Sequence, residues 1–136
     1  MKTSSTLLIL AFCCMAIGCA KQEYAACAPP DQDHKILFKP KFDGNPFSHS
    51  FCIVCNPSLE PEEYEAWVER MGGMSEGQPE TPCLYAYADR EASPEGYETL
   101  ADCQTAICEG GATYSDVVSR RNGNFDLEPL LGPAPE

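Results

Sequence analysis

Cysteine is the residue type whose number and spacing carry the most chemistry in this chain. Nine occur among 136 residues, and six of them, Cys27, Cys52, Cys55, Cys83, Cys103 and Cys108, lie beyond the first twenty positions. Thiols at such spacings serve redox exchange, zinc ligation or structural cross-linking. Cys52-Ile53-Val54-Cys55 has the redox spacing, but a reactive pair needs a thiolate stabilised at a helix N-terminus within a βαβ unit. Here Asn56-Pro57 follows the pair, the neighbours are acidic, and no βαβ pattern is visible. Zinc held by these two with Cys103 and Cys108 has a workable spacing, and export to an oxidising compartment argues against it. Three structural disulfides are therefore expected, with no metal and no cofactor.

The start of the chain supplies the compartment. Lys2 precedes an apolar stretch, Leu7 to Ile17, which is followed by the small residues Gly18, Cys19 and Ala20. That is the layout of a secretory signal peptide. Its apolar core falls short of the roughly 20 residues a membrane anchor needs, and no later stretch approaches that length. Cutting after Ala20 leaves an even set of six cysteines, whereas cutting after Gly18 strands a seventh. The expectation is a leader over residues 1–20. Ala16-Ile17-Gly18-Cys19 also resembles a bacterial lipobox, in which Cys19 is lipidated and the same six remain for pairing.

Other chemistries find little support. Histidine occurs only at His34 and His49. With Lys35 or Lys41 these have the types of an acid, a base and a cation for phosphodiester hydrolysis, but no motif fixes their geometry. No serine nucleophile signature occurs, so no catalytic residue is assigned. Asp31, Asp33 and the glutamates from Glu60 to Glu69 offer carboxylates to hard cations, yet no calcium loop frames them, and a solvated surface is the expectation. Asn56-Pro57-Ser58 is closed to N-glycosylation by its proline. Arg120-Arg121 is expected to be a surface pair rather than a processing site.

Charge narrows the partners further. Against 21 acidic residues stand 9 basic ones, giving a net charge of −12. Lys2 leaves with the leader, so the mature chain carries about −13. Nucleic acid and anionic membranes are excluded as partners on this ground. A basic protein surface or weakly bound divalent cations fit the charge.

The elements that must position the cysteines are less sharply marked. With 12 Pro and 10 Gly, breakers are frequent. Tyr64, Trp67, Val68 and Met71 follow helical spacing and predict a helix over Ser58 to Met71, with Trp67 as a core anchor. Tyr97, Leu100, Cys103 and Ile107 predict a second over Ser93 to Cys108, entered at Ser93-Pro94 and ended by Gly110-Gly111. On a continuous helix Cys103 and Cys108 sit about 7.5 Å apart along the axis and about 140° around it, so they take different partners. Cys52 and Cys55 are the candidates for a bridge between the helices. Short strands are expected at Lys35 to Lys39, at Cys83 to Ala88 with Tyr85 and Tyr87 on one face, and at the edge over Thr113 to Val118, while Phe47 to Cys55 is expected to be interior.

The fold expected is thus a small disulfide-rich α+β domain over residues 21–121. Its two short helices are joined by disulfides, with few short strands and long irregular loops. Residues 122–136 have no cysteine and three prolines, and predict a disordered tail. No family motif covers the domain. The expected role is that of a secreted, acidic, non-enzymatic interaction or matrix protein. A secreted effector such as a toxin or protease inhibitor, or a bacterial lipoprotein lipidated at Cys19, are the alternatives.

Overall fold

Three apolar runs, Lys35–Lys39 (KILFK), Phe51–Cys55 (FCIVC) and Cys83–Tyr87 (CLYAY), are too short for helices and become the centre of a sheet. The computed structural model describes residues 21–41, 49–72, 80–89, 91, 96–121, 125–134 and 136. The leader at 1–20, with Cys19 and Ala20, lies outside the described residues, as do the turn formers Asp43-Gly44-Asn45-Pro46, Phe47, most of the glycine-rich run after Gly72, and the Ser93-Pro94 helix entrance.

Five antiparallel strands pair in chain order: β1 (Glu23–Ala26), β2 (Lys35–Lys39), β3 (Phe51–Cys55), β4 (Cys83–Tyr87) and β5 (Thr113–Val117). A 3-10 turn at Pro61–Glu63 and helix α1 (Tyr64–Arg70) lie between β3 and β4, α2 (Leu100–Glu109) lies between β4 and β5, and α3 (Glu128–Leu131) follows β5. This corrects the expected fold. The described residues form a sheet-dominated domain with three helices, not a helix pair with few strands.

The physical reason is burial on both faces. Side chains alternate between faces along a strand. Ile36, Phe38, Cys52, Val54, Leu84 and Ala86 pack on one side with Trp67 and Val68 of α1 and Cys103 and Ile107 of α2. Leu37, Ile53, Cys55 and Cys83 pack on the other with Val118, Leu127 and Leu130. Strands covered on both sides carry no polar alternation, so their run reads as apolar without a period.

The helices start where local chemistry satisfies their free amides. α2 begins at Thr99, whose hydroxyl accepts from the Asp102 amide at 3.1 Å while the Asp102 carboxylate accepts from the Thr99 amide at 3.0 Å. This reciprocal cap fixes the start. Of the helix expected over Ser93 to Cys108, residues 96–99 are not helical, and α2 runs from Leu100. α1 is entered through Pro61, and a Glu60–Glu63 pair caps the 3-10 turn. Gly72, at a φ of 75°, ends it in a conformation that side-chain-bearing residues resist.

The six cysteines pair as Cys27–Cys108, Cys52–Cys103 and Cys55–Cys83. Cys103 and Cys108 do take different partners, as helical geometry requires. The bridges, however, join α2 to the sheet and β3 to β4, and none of the three joins the two helices. Three residues apart on a strand, Cys52 and Cys55 point to opposite faces. Cys52 reaches the α2 side, while Cys55 faces its direct cross-strand neighbour Cys83 at a Cα separation of 4.1 Å. Each bridge restricts the unfolded chain and is worth about 2–4 kcal/mol.

The expected disordered tail is also corrected for residues 125–134. α3 lies against β2, and Leu127 and Leu130 are buried. The Tyr24 hydroxyl donates to the Asp126 carbonyl at 3.0 Å, and the Asp126 amide donates to Gln22 Oε1 at 3.1 Å, tying this segment to the β1 edge. Leu130→Ala is therefore expected to lower stability by about 2 kcal/mol in denaturant unfolding. A tail without packing would leave the midpoint unchanged.

Candidate functional site

The residue types that first suggested chemistry are dispersed by the fold. His34 precedes β2 and packs near Trp67, with ring centroids 6.3 Å apart, while the exposed His49 precedes β3. Lys35 pairs with Cys55 and Lys39 with Phe51, so the two histidines flank opposite ends of the β2–β3 ladder. That separation is about 17 Å along the strands, too far for a shared acid–base site. The Asp33 carboxylate accepts from the Ser58 hydroxyl at 3.2 Å, and Glu63 serves the cap. Among the described residues no group of three or more His, Cys, Asp or Glu is placed to hold a metal ion.

What the fold does assemble is a row of aromatic rings on the face opposite α1 and α2. Alternation puts Phe51 of β3 on this face with Ile53 and Cys55, and Tyr85 and Tyr87 of β4 with Cys83. Phe125, from the C-terminal segment, stands edge-on to Phe51 at 5.5 Å and to Tyr85 at 6.1 Å. Tyr85 lies 6.4 Å from Phe51 and 6.2 Å from Tyr87. These separations suit favourable ring contacts. Lys39 holds its Nζ over the Phe125 ring, 5.7 Å from the centroid, at one end of the row.

At the other end Tyr87 is left 44% exposed among the described residues, and Phe51, beside Phe125, is 38% exposed, whereas the aliphatic part of the same face is closed by Leu127 and Leu130. Beside Tyr87, Ala88, Asp89, Thr113 and Ser115 line a recess of 460 Å³. The floor under it is fixed: the Tyr97 hydroxyl donates to the Tyr87 carbonyl at 2.9 Å, and the Tyr97 carbonyl accepts from the Ser50 hydroxyl at 2.8 Å. Asp89 Oδ1 accepts from the Glu91 amide at 2.9 Å, which orients that carboxylate. A second recess, of 420 Å³, adjoins the Cys27–Cys108 bridge between Pro29, Pro30, Asp31 and Gln104.

Burial raises three of the phenols around this row, those of Tyr85, Tyr97 and Tyr114. Burial, followed by the Tyr114 phenol, pushes Tyr97 up to about 12. Burial raises Tyr114 as well, and it raises Tyr85 together with the charges of Tyr87 and Asp116. None of these phenols is prepared as a base or nucleophile near neutral pH.

The alternation of Tyr85 and Tyr87 was legible in the sequence and is confirmed. The contributions of Phe51, Phe125 and Tyr97 were not foreseen. For Phe125 the signal was the apolar set Phe125, Leu127, Leu130 and Leu131 inside a proline-rich tail. The chain matches no protein-family model, no curated protein and no solved structure.

The raised Tyr97 carries a pH consequence. Its proton is held up to about 12 in the folded chain but leaves near 10.0 once unfolded, so stability falls as pH rises through that window. Denaturant midpoints at about pH 9 and about pH 11 are expected to show this fall, and Tyr97→Phe to reduce it. An equal fall in both proteins would assign the alkaline loss to other groups.

Proposed function

We propose that the mature chain is a secreted, acidic protein that works by binding rather than by catalysis, and that its partner is a basic protein surface. The observation that supports this reading is the half-open aromatic row. Phe51 and Tyr87 stay exposed on a domain braced by three disulfides, although burying them would stabilise it. Large apolar groups grouped at a surface suit a contact site. The acidic balance of the chain selects the sign of the partner, since like-charged surfaces are repelled on approach. Basic protein fits better than a divalent cation, because the exposed carboxylates of the described residues are spread rather than convergent. Disulfides are consistent with an oxidising, extracellular setting, and among the described residues no helix is long and apolar enough to cross a membrane.

The test is binding of the purified mature protein to immobilised basic and acidic extracellular proteins at physiological salt. Saturable binding confined to the basic set is expected. Absence of binding, or turnover of hydrolase substrates, would overturn the reading.

A second reading, a lipoprotein lipidated at Cys19, is favoured by one observation. All six cysteines beyond Ala20 pair among themselves, so the pairing of the domain is complete without a leader cysteine, as the lipidated form requires. Intact mass spectrometry decides between the two. The secreted form starts at Lys21 and is six hydrogens lighter than the reduced chain, while added acyl mass on Cys19 selects the lipoprotein.

A further inference from the structure

The aromatic row has two ends with different occupancy. At one, a cation of the chain itself, Lys39, stands over the Phe125 ring. At the other, the Tyr87 ring borders the recess formed with Asp89, Thr113 and Ser115. The face of an aromatic ring is negative and attracts cations, so the row already operates as a cation acceptor within the fold.

The open end adds what the Phe125 end does not need for its own lysine. Asp89 supplies a carboxylate whose orientation is set by its bond to the Glu91 amide. Thr113 and Ser115 supply hydroxyls from β5, and register places them opposite Tyr87 and Tyr85 on the same face. Asp116, the residue at which the β4–β5 register shifts, adds a second carboxylate near Tyr85. The backbone beneath Tyr87 is held by Tyr97, so the strand that carries the ring has no ordering left to lose on binding.

A planar cation matches this set best. A guanidinium stacks on a tyrosine ring and donates in its own plane to a carboxylate and to hydroxyls, which an ammonium does less well. We infer that the recess of Tyr87, Asp89, Thr113 and Ser115 receives an arginine side chain from an extended basic segment of the partner. The assignment rests on the interaction role proposed above and gives that role its site and its preferred residue.

The experiment uses the full mature protein and fluorescence anisotropy at physiological salt. The probe is a labelled peptide of arginines spaced by glycine and serine, alongside lysine and glutamine counterparts and a neutral chito-oligosaccharide. The arginine peptide is expected to bind more tightly than the lysine one, with the glutamine peptide and the saccharide inert. Tyr87→Ala and Asp89→Asn are each expected to weaken it about 3- to 5-fold, while Tyr87→Phe retains it. Glu62→Gln, which removes the same charge from the exposed 3-10 turn before α1, is the control and should leave the affinity unchanged. Equal losses in Asp89→Asn and Glu62→Gln, or no loss in Tyr87→Ala, would overturn the site while leaving a basic partner in place. Failure of the wild-type protein to bind any basic peptide would overturn both. Saccharide binding that Tyr87→Ala abolishes would reassign the recess to sugar.

Discussion

Burial of β3 on both of its faces is the constraint from which the rest of the architecture follows. The Cys-Ile-Val-Cys run of this strand has no side that tolerates water, and Cys52 through Cys55 are almost wholly shielded, only Phe51 at its start staying exposed. One layer of cover is not enough for such a strand. The chain supplies two, α1 and α2 on one side and the C-terminal segment on the other. The disulfides follow the same division: Cys52 locks the upper layer through Cys103, and Cys55 locks the strand to β4 beneath the lower one.

That division also explains which chemistry the protein sets aside. The C-x-x-C spacing serves redox exchange when a helix turns both sulfurs toward one approaching thiol. Placed in a strand, the same spacing sends them to opposite sides of a sheet, each into a separate buried bridge. Cys27–Cys108 pins the last turn of α2 beside the end of β1, so the helix is held near both of its ends. On the opposite face Leu127 and Leu130 close the aliphatic part, and only the part that carries Phe51 and Tyr87 stays open among the described residues.

Local signals were legible where they are periodic. The seam of Tyr64, Trp67, Val68 and Met71 marks α1, and Trp67 is interior as its size and spacing imply. The strands at Lys35, Cys83 and Thr113 were visible as short segments, but their union into one sheet was not. Pairing is non-local, and strands covered on both faces carry no polar alternation to announce it. β1 was missed altogether, because Glu-Tyr-Ala-Ala has no apolar run and owes its strand form to hydrogen bonds with β2. The tail was misjudged for a related reason: prolines and acids dominate its composition, while three or four apolar side chains decide its position. Of the candidate site, only Tyr85 and Tyr87 were within reach of a period of two. The others arrive from distant parts of the chain.

Asp116 is the one non-glycine residue at positive φ, 52°, among the described residues, and it is the extra residue where β5 slips against β4. A sheet open at both borders is a template on which further copies of the chain can polymerise. The bulge bends one border away from any straight neighbour, and the other border is a strand of only four residues that opens on the charge of Glu23. A chain with exposed rings on one face of its sheet thereby keeps its edges from growing into fibrils.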